Sequence, residues 1–316
     1  MNIGLIASAV GIATKNALSF NHFHLEFLRP QLTSPSSLCF FAGQKNGHCA
    51  SNLDLKREVI NVSTGKLRAV MGDSGGGAVL QDAGATALVV AGAYGFVSTF
   101  DYLTQRNLIQ QSLSRKMVHI LSGLLFMASW PIFSTSTGAR YFASLVPLVN
   151  CARLLVYGLS LATDQGLIKS VTREGKPEEL LRGPLYYVLI LILSALAFWR
   201  DSPVGVISVS MMCGGDGIAD IMGRRFGSLK LPYNHQKSWA GSISMFFCGF
   251  SISIGMLYYF SSLGYFQLEW NWTIQRVALV ALVATLVESL PTNGIVDDNI
   301  SVPLASMVIS ILCFGY

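Results

Sequence analysis

Two aspartates four residues apart, Asp216 and Asp220, lie inside the run Gly214-Gly215-Asp216-Gly217-Ile218-Ala219-Asp220-Ile221-Met222-Gly223-Arg224-Arg225-Phe226-Gly227. On a helix that spacing sets both carboxylates on one face. Like charges so placed repel unless a cation sits between them, and hard carboxylate oxygens joined by phosphate oxygens suit Mg²⁺. Asp216 and Asp220 are therefore the expected metal ligands and catalytic residues. Gly215 and Gly217 would let the backbone approach a bulky ligand closely. The alternative is that the glycines pack helices and the aspartates pair with Arg224 and Arg225.

Shortly afterwards come Lys230, Lys237, Ser238 and Gly241. Two ammonium groups and a Ser/Gly turn opening a helix can hold phosphate, so Arg224, Lys230, Lys237 and Ser238 are the expected polyphosphate contacts. Farther on, Glu288, Asp297 and Asp298 add carboxylates that could bind a second metal or accept a proton from an alcohol, which makes Glu288 and Asp298 catalytic candidates. Arg115, Lys116 and His119 could reach phosphate, or snorkel and pack at an interface. Asn150 and Arg153 fall within an apolar run and must find partners there.

These residues are set in a chain of 316 residues that is 52% hydrophobic and only 12% charged, with a mean hydropathy of +0.50. So little charge cannot cover a soluble surface, and a lipid-facing exterior is expected. Apolar runs near the ~20 residues that cross a bilayer recur at Ala83–Phe100, Met117–Phe133, Tyr141–Leu161, Pro184–Trp199, Pro203–Met222, Ala240–Leu263, around Val277–Val287, and at Val302–Tyr316. Each must be helical to satisfy its own backbone in lipid. The expectation is an all-α, polytopic bundle of about eight transmembrane spans. Six scattered cysteines, without a CxxC pair, predict neither a disulfide framework nor a zinc site.

The loops alternate in charge. Those after the first, third and fifth spans hold eleven Lys/Arg residues, among them Arg106, Lys116, Lys176, Arg182, Arg224, Lys230 and Lys237. The intervening loops hold Arg140 and Arg200. Such asymmetry orients a membrane protein and collects the chemically capable side chains on one face. Residues 1–68, basic, hydroxyl-bearing and poor in acids, suit an organellar transit peptide or a disordered leader. Residues 69–82 read as a linker, since the glycines at 72–77 lack the GK[ST] of a phosphate loop, and 83–316 form the membrane domain.

Three blocks carry a resemblance: RKMVHILSGLLFMASWPIFS at 115–134, the Gly214–Gly227 run with LPYNHQKSWAGSIS at 231–244, and ESLPTNGIVDDNISVPL at 288–304. Together they resemble the plant phytol kinases of the polyprenol kinase family, related to farnesol kinase and more distantly to dolichol kinase. The likeness runs from about Asp82 to the C-terminus and departs at Thr292-Asn293-Gly294. It implies transfer of the γ-phosphoryl of a nucleoside triphosphate, typically CTP, to the isoprenoid alcohol phytol. It further implies phytyl phosphate as product, on the route returning phytol to tocopherol synthesis. A multi-pass protein of the chloroplast membrane, in the envelope before the thylakoid, follows, with the bilayer as its other partner and no nucleic acid. A kinase for farnesol or geranylgeraniol, a membrane cytidylyltransferase and a transporter are the competing readings.

Overall fold

A computed structural model describes residues 75–163, 166, 168, 171–172, 175–291 and 297–315, all within one unit, Arg68–Tyr316. The leader and the Thr292–Gly294 departure lie outside the described residues.

Among the described residues eight long helices follow in order: α1 (Gly75–Gln105), α2 (Gln111–Ala128), α3 (Ala139–Gly158), α4 (Pro177–Phe198), α5 (Pro203–Phe226), α6 (Trp239–Ser262), α7 (Trp270–Ser289) and α8 (Asp298–Phe314). Each covers one expected run. Six are long and apolar enough to cross a membrane; α2 carries Arg115 and Lys116 in its first turns, and α8 has only 17 residues. Helix α1 starts at Gly75, so 75–82, expected as linker, are helical and bring Asp82 into the bundle. The only sheet among the described residues is a hairpin, β1 (Lys230–Leu231) and β2 (Asn234–Ser238), antiparallel with Lys230 opposite Ser238.

Local sequence fixes the ends of the helices. Ser202 caps α5 by accepting from the Val204 amide at 3.2 Å, with Pro203 in the first turn. Ser238 caps α6 through the Gly241 amide at 3.2 Å, and Asp297 caps α8 through the Asn299 amide at 2.9 Å. Each hydroxyl or carboxylate satisfies an amide that the helix itself leaves without a partner.

Helix α5 is the axis of the bundle, with every residue from Val204 to Gly217 buried. Its glycines make that possible. A Cβ on Gly215 would meet Met211 Cε at 3.3 Å and the Gly249 Cα at 3.6 Å, and one on Gly223 would lie 3.7 Å from the Gly241 Cα. Small residues on α5 thus face small residues on α6, as helices approaching closely in a membrane require. A Cβ on Gly217 would overlap Ile120 of α2. Gly215 and Gly217, expected to face a ligand, are packed against neighbouring helices instead.

Contacts at the two ends show that successive helices alternate in direction. At one end the α2 start, α5 exit, hairpin, α7 exit and α8 start meet through Lys116, Asp216, Lys237, Glu288 and Asp298. At the other, Asp82 of α1 accepts from the Ser134 amide (2.7 Å) and from the Ser134 and Ser136 hydroxyls (2.8 and 3.1 Å). There, Arg200 between α4 and α5 donates to the carbonyls of Trp130, Phe133 and Ser134, and its guanidinium lies 4.8 Å from the Tyr265 ring centre. Trp199 beside it has a φ of 46°, a costly backbone for a large side chain, held by Trp130 at 5.2 Å and Phe133 at 6.1 Å.

The loop arrangement has a direct test. Tags inserted at Lys176, Lys230 and Asp297 should all report one side of the membrane, and tags at Gly138 and Glu269 the other. Labelling with an impermeant reagent before and after permeabilisation checks this; a split among the first three would break both the span count and the single charged end.

Candidate active site

The charged end is built around the exit of α5. Residues Met211–Asp216 form a π-helical segment, which widens one turn within the buried helix. Such segments re-aim the following face and recur at functional sites. Here His119 Nε2 of α2 lies 3.3 Å from the Met212 carbonyl oxygen and 3.9 Å from Asp216 Oδ2. The His119 ring packs 4.3 Å from that of Tyr187, whose hydroxyl donates to the His119 carbonyl at 2.8 Å and bonds Ser122 at 3.0 Å. Asp216 therefore emerges from a rigid, hydrogen-bonded junction of α2, α4 and α5.

Asp216 and Asp220 do share a face, and a cation does stand between them. It is Lys116, with Nζ 3.6 Å from Asp216 Oδ2 and 3.7 Å from Asp220 Oδ2. Arg224, half exposed, reaches back one turn so that its Nε meets Asp220 Oδ2 at 3.0 Å. Asp220 is thus held by two bases.

The residues that converge as a possible metal set are Asp216, Glu288 and Asp298, each offering an oxygen within 4.8 Å of the others. Asp216 and Glu288 are only 5% and 4% exposed. The expected metal pair is Asp216 with Asp220; in space Asp216 meets the acids of α7 and α8, which pack on each other beside α5, and Asp220 stands outside the trio. Lys237 bridges two of the three, making an ion pair with Glu288 Oε1 and donating to Asp298 Oδ2 at 2.8 Å. Burial disfavours its charge, yet the carboxylates of Glu288, Asp298 and Asp216 outweigh that penalty and hold its pKa above the ordinary lysine range. Even so, Glu288 Oε2 and Asp298 Oδ1 are buried without a hydrogen-bond partner.

The remaining expected contacts are placed as follows. Ser238 is buried and its hydroxyl caps α6, wedged against Gly223 and Gly227. Lys230 is exposed on β1. The hairpin carrying Lys237 is pinned to the end of α7 by Tyr233 Oη donating to Ser289 Oγ (2.9 Å) and Asn234 Nδ2 donating to the Ser289 carbonyl (3.0 Å). The sequence does not reveal that Tyr233, Asn234 and Ser289 meet, since their contact joins residues far apart in the chain. Lys116 is expected from the sequence as a phosphate contact or a snorkelling interfacial base; it stands instead between two aspartates.

The opposite end also holds a polar cavity, of about 350 Å³, lined by Arg140, Arg200, Asp201 and Tyr265 among others. Two buried charged groups at that end, Arg200 and Asp82, are already committed, although Trp130 Nε1 has no hydrogen-bond partner. Three carbonyls take the Arg200 donors, and the Asp82 oxygens are taken by Ser134 and Ser136. That end is a clamp between α1, the α2–α3 turn and the α4–α5 turn. The charged end, with orphaned carboxylate oxygens and neighbouring bases, is the one equipped to hold a cation together with an anion.

Comparison with known proteins gives close relatives. The Glycine max protein named probable phytol kinase 1, chloroplastic, is 67% identical over 249 residues, covering 79% of this chain and 82% of that protein. The Arabidopsis thaliana protein named phytol kinase 1, chloroplastic, is 59% identical over 283 residues, 89% of each. A probable phytol kinase 1, chloroplastic, of Oryza sativa subsp. japonica is 64% identical over 239 residues, 76% of each. No family model matches the chain, and no solved structure does.

If Lys116 neutralises the aspartate pair, Lys116→Met should destabilise the protein by about 2 kcal/mol, between the values for exposed and buried ion pairs. Adding Asp216→Asn should then recover stability, with a coupling of at least about 1 kcal/mol. Thermal melts of the four proteins in lipid or detergent complete the cycle. Additive losses would show that Lys116 only packs against α5.

Proposed function

The chain belongs to the plant phytol kinase family, and on that premise we propose that it transfers the γ-phosphoryl group of a nucleoside triphosphate, CTP, to the hydroxyl of phytol. The observation that carries this reading is the junction of buried carboxylates and bases at one end of a membrane bundle. Phosphoryl transfer asks a protein chiefly to position two substrates and to neutralise charge on the phosphates.

The carboxylate trio fits a Mg²⁺ ion: three hard-oxygen donors from three helices converge, and two of their oxygens lack partners. Asp216, Glu288 and Asp298 would hold it. When bound, Mg²⁺ supplies charge neutralisation and orientation of phosphate oxygens. Arg224, paired with Asp220, and Lys230, exposed on β1, take the outer phosphates, and Lys116 keeps Asp216 and Asp220 together. Asp220, outside the trio and less buried, orients the alcohol and accepts its proton as the oxygen attacks. Gly215, Gly217 and Ser238 serve by letting α5, α2 and α6 close around these groups.

The membrane setting follows from the acceptor. Each buried CH₂ of a C20 chain favours the bilayer by roughly 0.8 kcal/mol, so the alcohol arrives laterally with its hydroxyl at the interface. The charged cluster sits at helix ends, the depth at which that hydroxyl is presented. In this reading the product is phytyl phosphate, feeding phytol salvage into tocopherol synthesis. The protein resides in a chloroplast membrane, the envelope, after residues 1–68 have served as transit peptide.

Incubation of the membrane-embedded protein with phytol and CTP labelled at either the γ or the α phosphorus tests the reaction. The γ label should enter a lipid-extractable product and the α label should not. Asp216→Asn should lower kcat by at least about 100-fold, about 2.7 kcal/mol, while Asp201→Asn at the opposite end stays within a few-fold of wild type. Recovery of the α label in lipid would make the protein a cytidylyltransferase.

A further inference from the structure

The carboxylates that would take a divalent ion already hold a cation of the protein's own. Lys237 Nζ pairs with Glu288 Oε1 and with Asp298 Oδ2, two of the three residues whose oxygens fall within 4.8 Å of one another. The lysine is delivered there by the hairpin, which docks on Ser289, the residue after Glu288, through Tyr233 and Asn234. Its fit is partial. Buried Glu288 Oε2 and Asp298 Oδ1 have no hydrogen-bond partner, although an ammonium carries three donors. A divalent ion would bring twice the charge and draw several oxygens at once. An ammonium and a divalent ion cannot share so small a space, since their repulsion grows as the reciprocal of distance in a medium of low dielectric.

We propose that Lys237 is a resident counter-ion and that its ammonium and a divalent cation are alternative occupants of the Asp216–Glu288–Asp298 cluster. Entry of the divalent ion releases Lys237 from Glu288 and Asp298, and the freed ammonium pairs with the polyphosphate that arrives beside it. The proposal rests on the reading of this cluster as the divalent-cation site. Without the lysine the folded chain would bury neighbouring like charges with no compensation, so Lys237 keeps the site assembled between turnovers. It also makes metal and nucleotide bind together. Metal alone must expel Lys237 with no phosphate to receive it, whereas metal with polyphosphate replaces the lost ion pairs. The coupling is reciprocal, so each ligand tightens the other.

Two measurements on the full-length protein in lipid nanodiscs test this. In wild type, the rate at which an amine-reactive reagent modifies Lys237 is followed by mass spectrometry, normalised to exposed Lys176. Mg²⁺ alone at saturating concentration should raise that rate at least about tenfold, and Mg²⁺ with a non-hydrolysable CTP analogue should return it to a low value. In parallel, Mn²⁺ binding without nucleotide, read by electron paramagnetic resonance, should be at least about tenfold tighter in Lys237→Met than in wild type. Mn²⁺ that binds wild type while Lys237 stays protected, or binds Lys237→Met no more tightly, overturns the exchange but leaves the metal site standing. Mn²⁺ that binds neither protein overturns both. Should Lys237→Met fail to accumulate in membranes, the wild-type labelling decides alone.

Discussion

Charge cannot be left alone inside an apolar bundle, and this constraint organises the protein. Asp216 and Glu288 are almost wholly buried, and Asp298 and Asp220 are partly buried. Each unpaired carboxylate in such surroundings would cost several kcal/mol, so bases must be brought to them. Lys116 comes from α2, Arg224 from the last turn of α5, and Lys237 from a hairpin whose docking on Ser289 serves that delivery. Five chain segments are thereby tied at one end, and the tie is also the place where a polyanion and a metal ion could be received.

The other end answers the same constraint differently. Arg200 is 3% exposed and is satisfied by carbonyl oxygens and by the faces of Trp199 and Tyr265, while Asp82 is satisfied by serines. Neither side chain has a fully buried polar atom without a partner. Between the two ends α5 runs through the centre, admitted by glycines that let α6 and α2 approach, and broken once by the π segment that aims Asp216. One end of the bundle is thus a clamp whose Arg200 and Asp82 are paired, and the other an incompletely satisfied charged cluster.

Much of this was legible in the chain. Apolar runs near twenty residues gave all eight helices, because lipid leaves the backbone no other way to satisfy itself. The alternation of basic loops announced which helix ends gather, and the Asp216–Asp220 spacing announced a cation between them. The identity of that cation was not legible, since Lys116 arrives from a helix far upstream. Nor was the partner set of Asp216: its nearness to Glu288 and Asp298 depends on α7 and α8 packing beside α5, which periodicity does not encode. The glycines around Asp216 carry the same signature whether they admit a ligand or a helix, and only the position of Ile120 and Gly249 decided it. Ser238 illustrates a similar ambiguity, for a hydroxyl that opens a helix can cap it or bind phosphate, and here it caps α6.

On the proposed function, the divalent-cation and nucleotide site lies where α5, α7 and α8 bring Asp216, Glu288 and Asp298 together. Substituting Fe²⁺ for Mg²⁺ in the presence of nucleotide, then adding ascorbate and peroxide, cuts the backbone within a few ångströms of the bound ion. Cleavage should fall near residues 216–220, 237, 288 and 298 and be suppressed by excess Mg²⁺. Cuts gathered around Asp82, Ser134 and Arg200, or scattered cuts indifferent to Mg²⁺, would contradict the account.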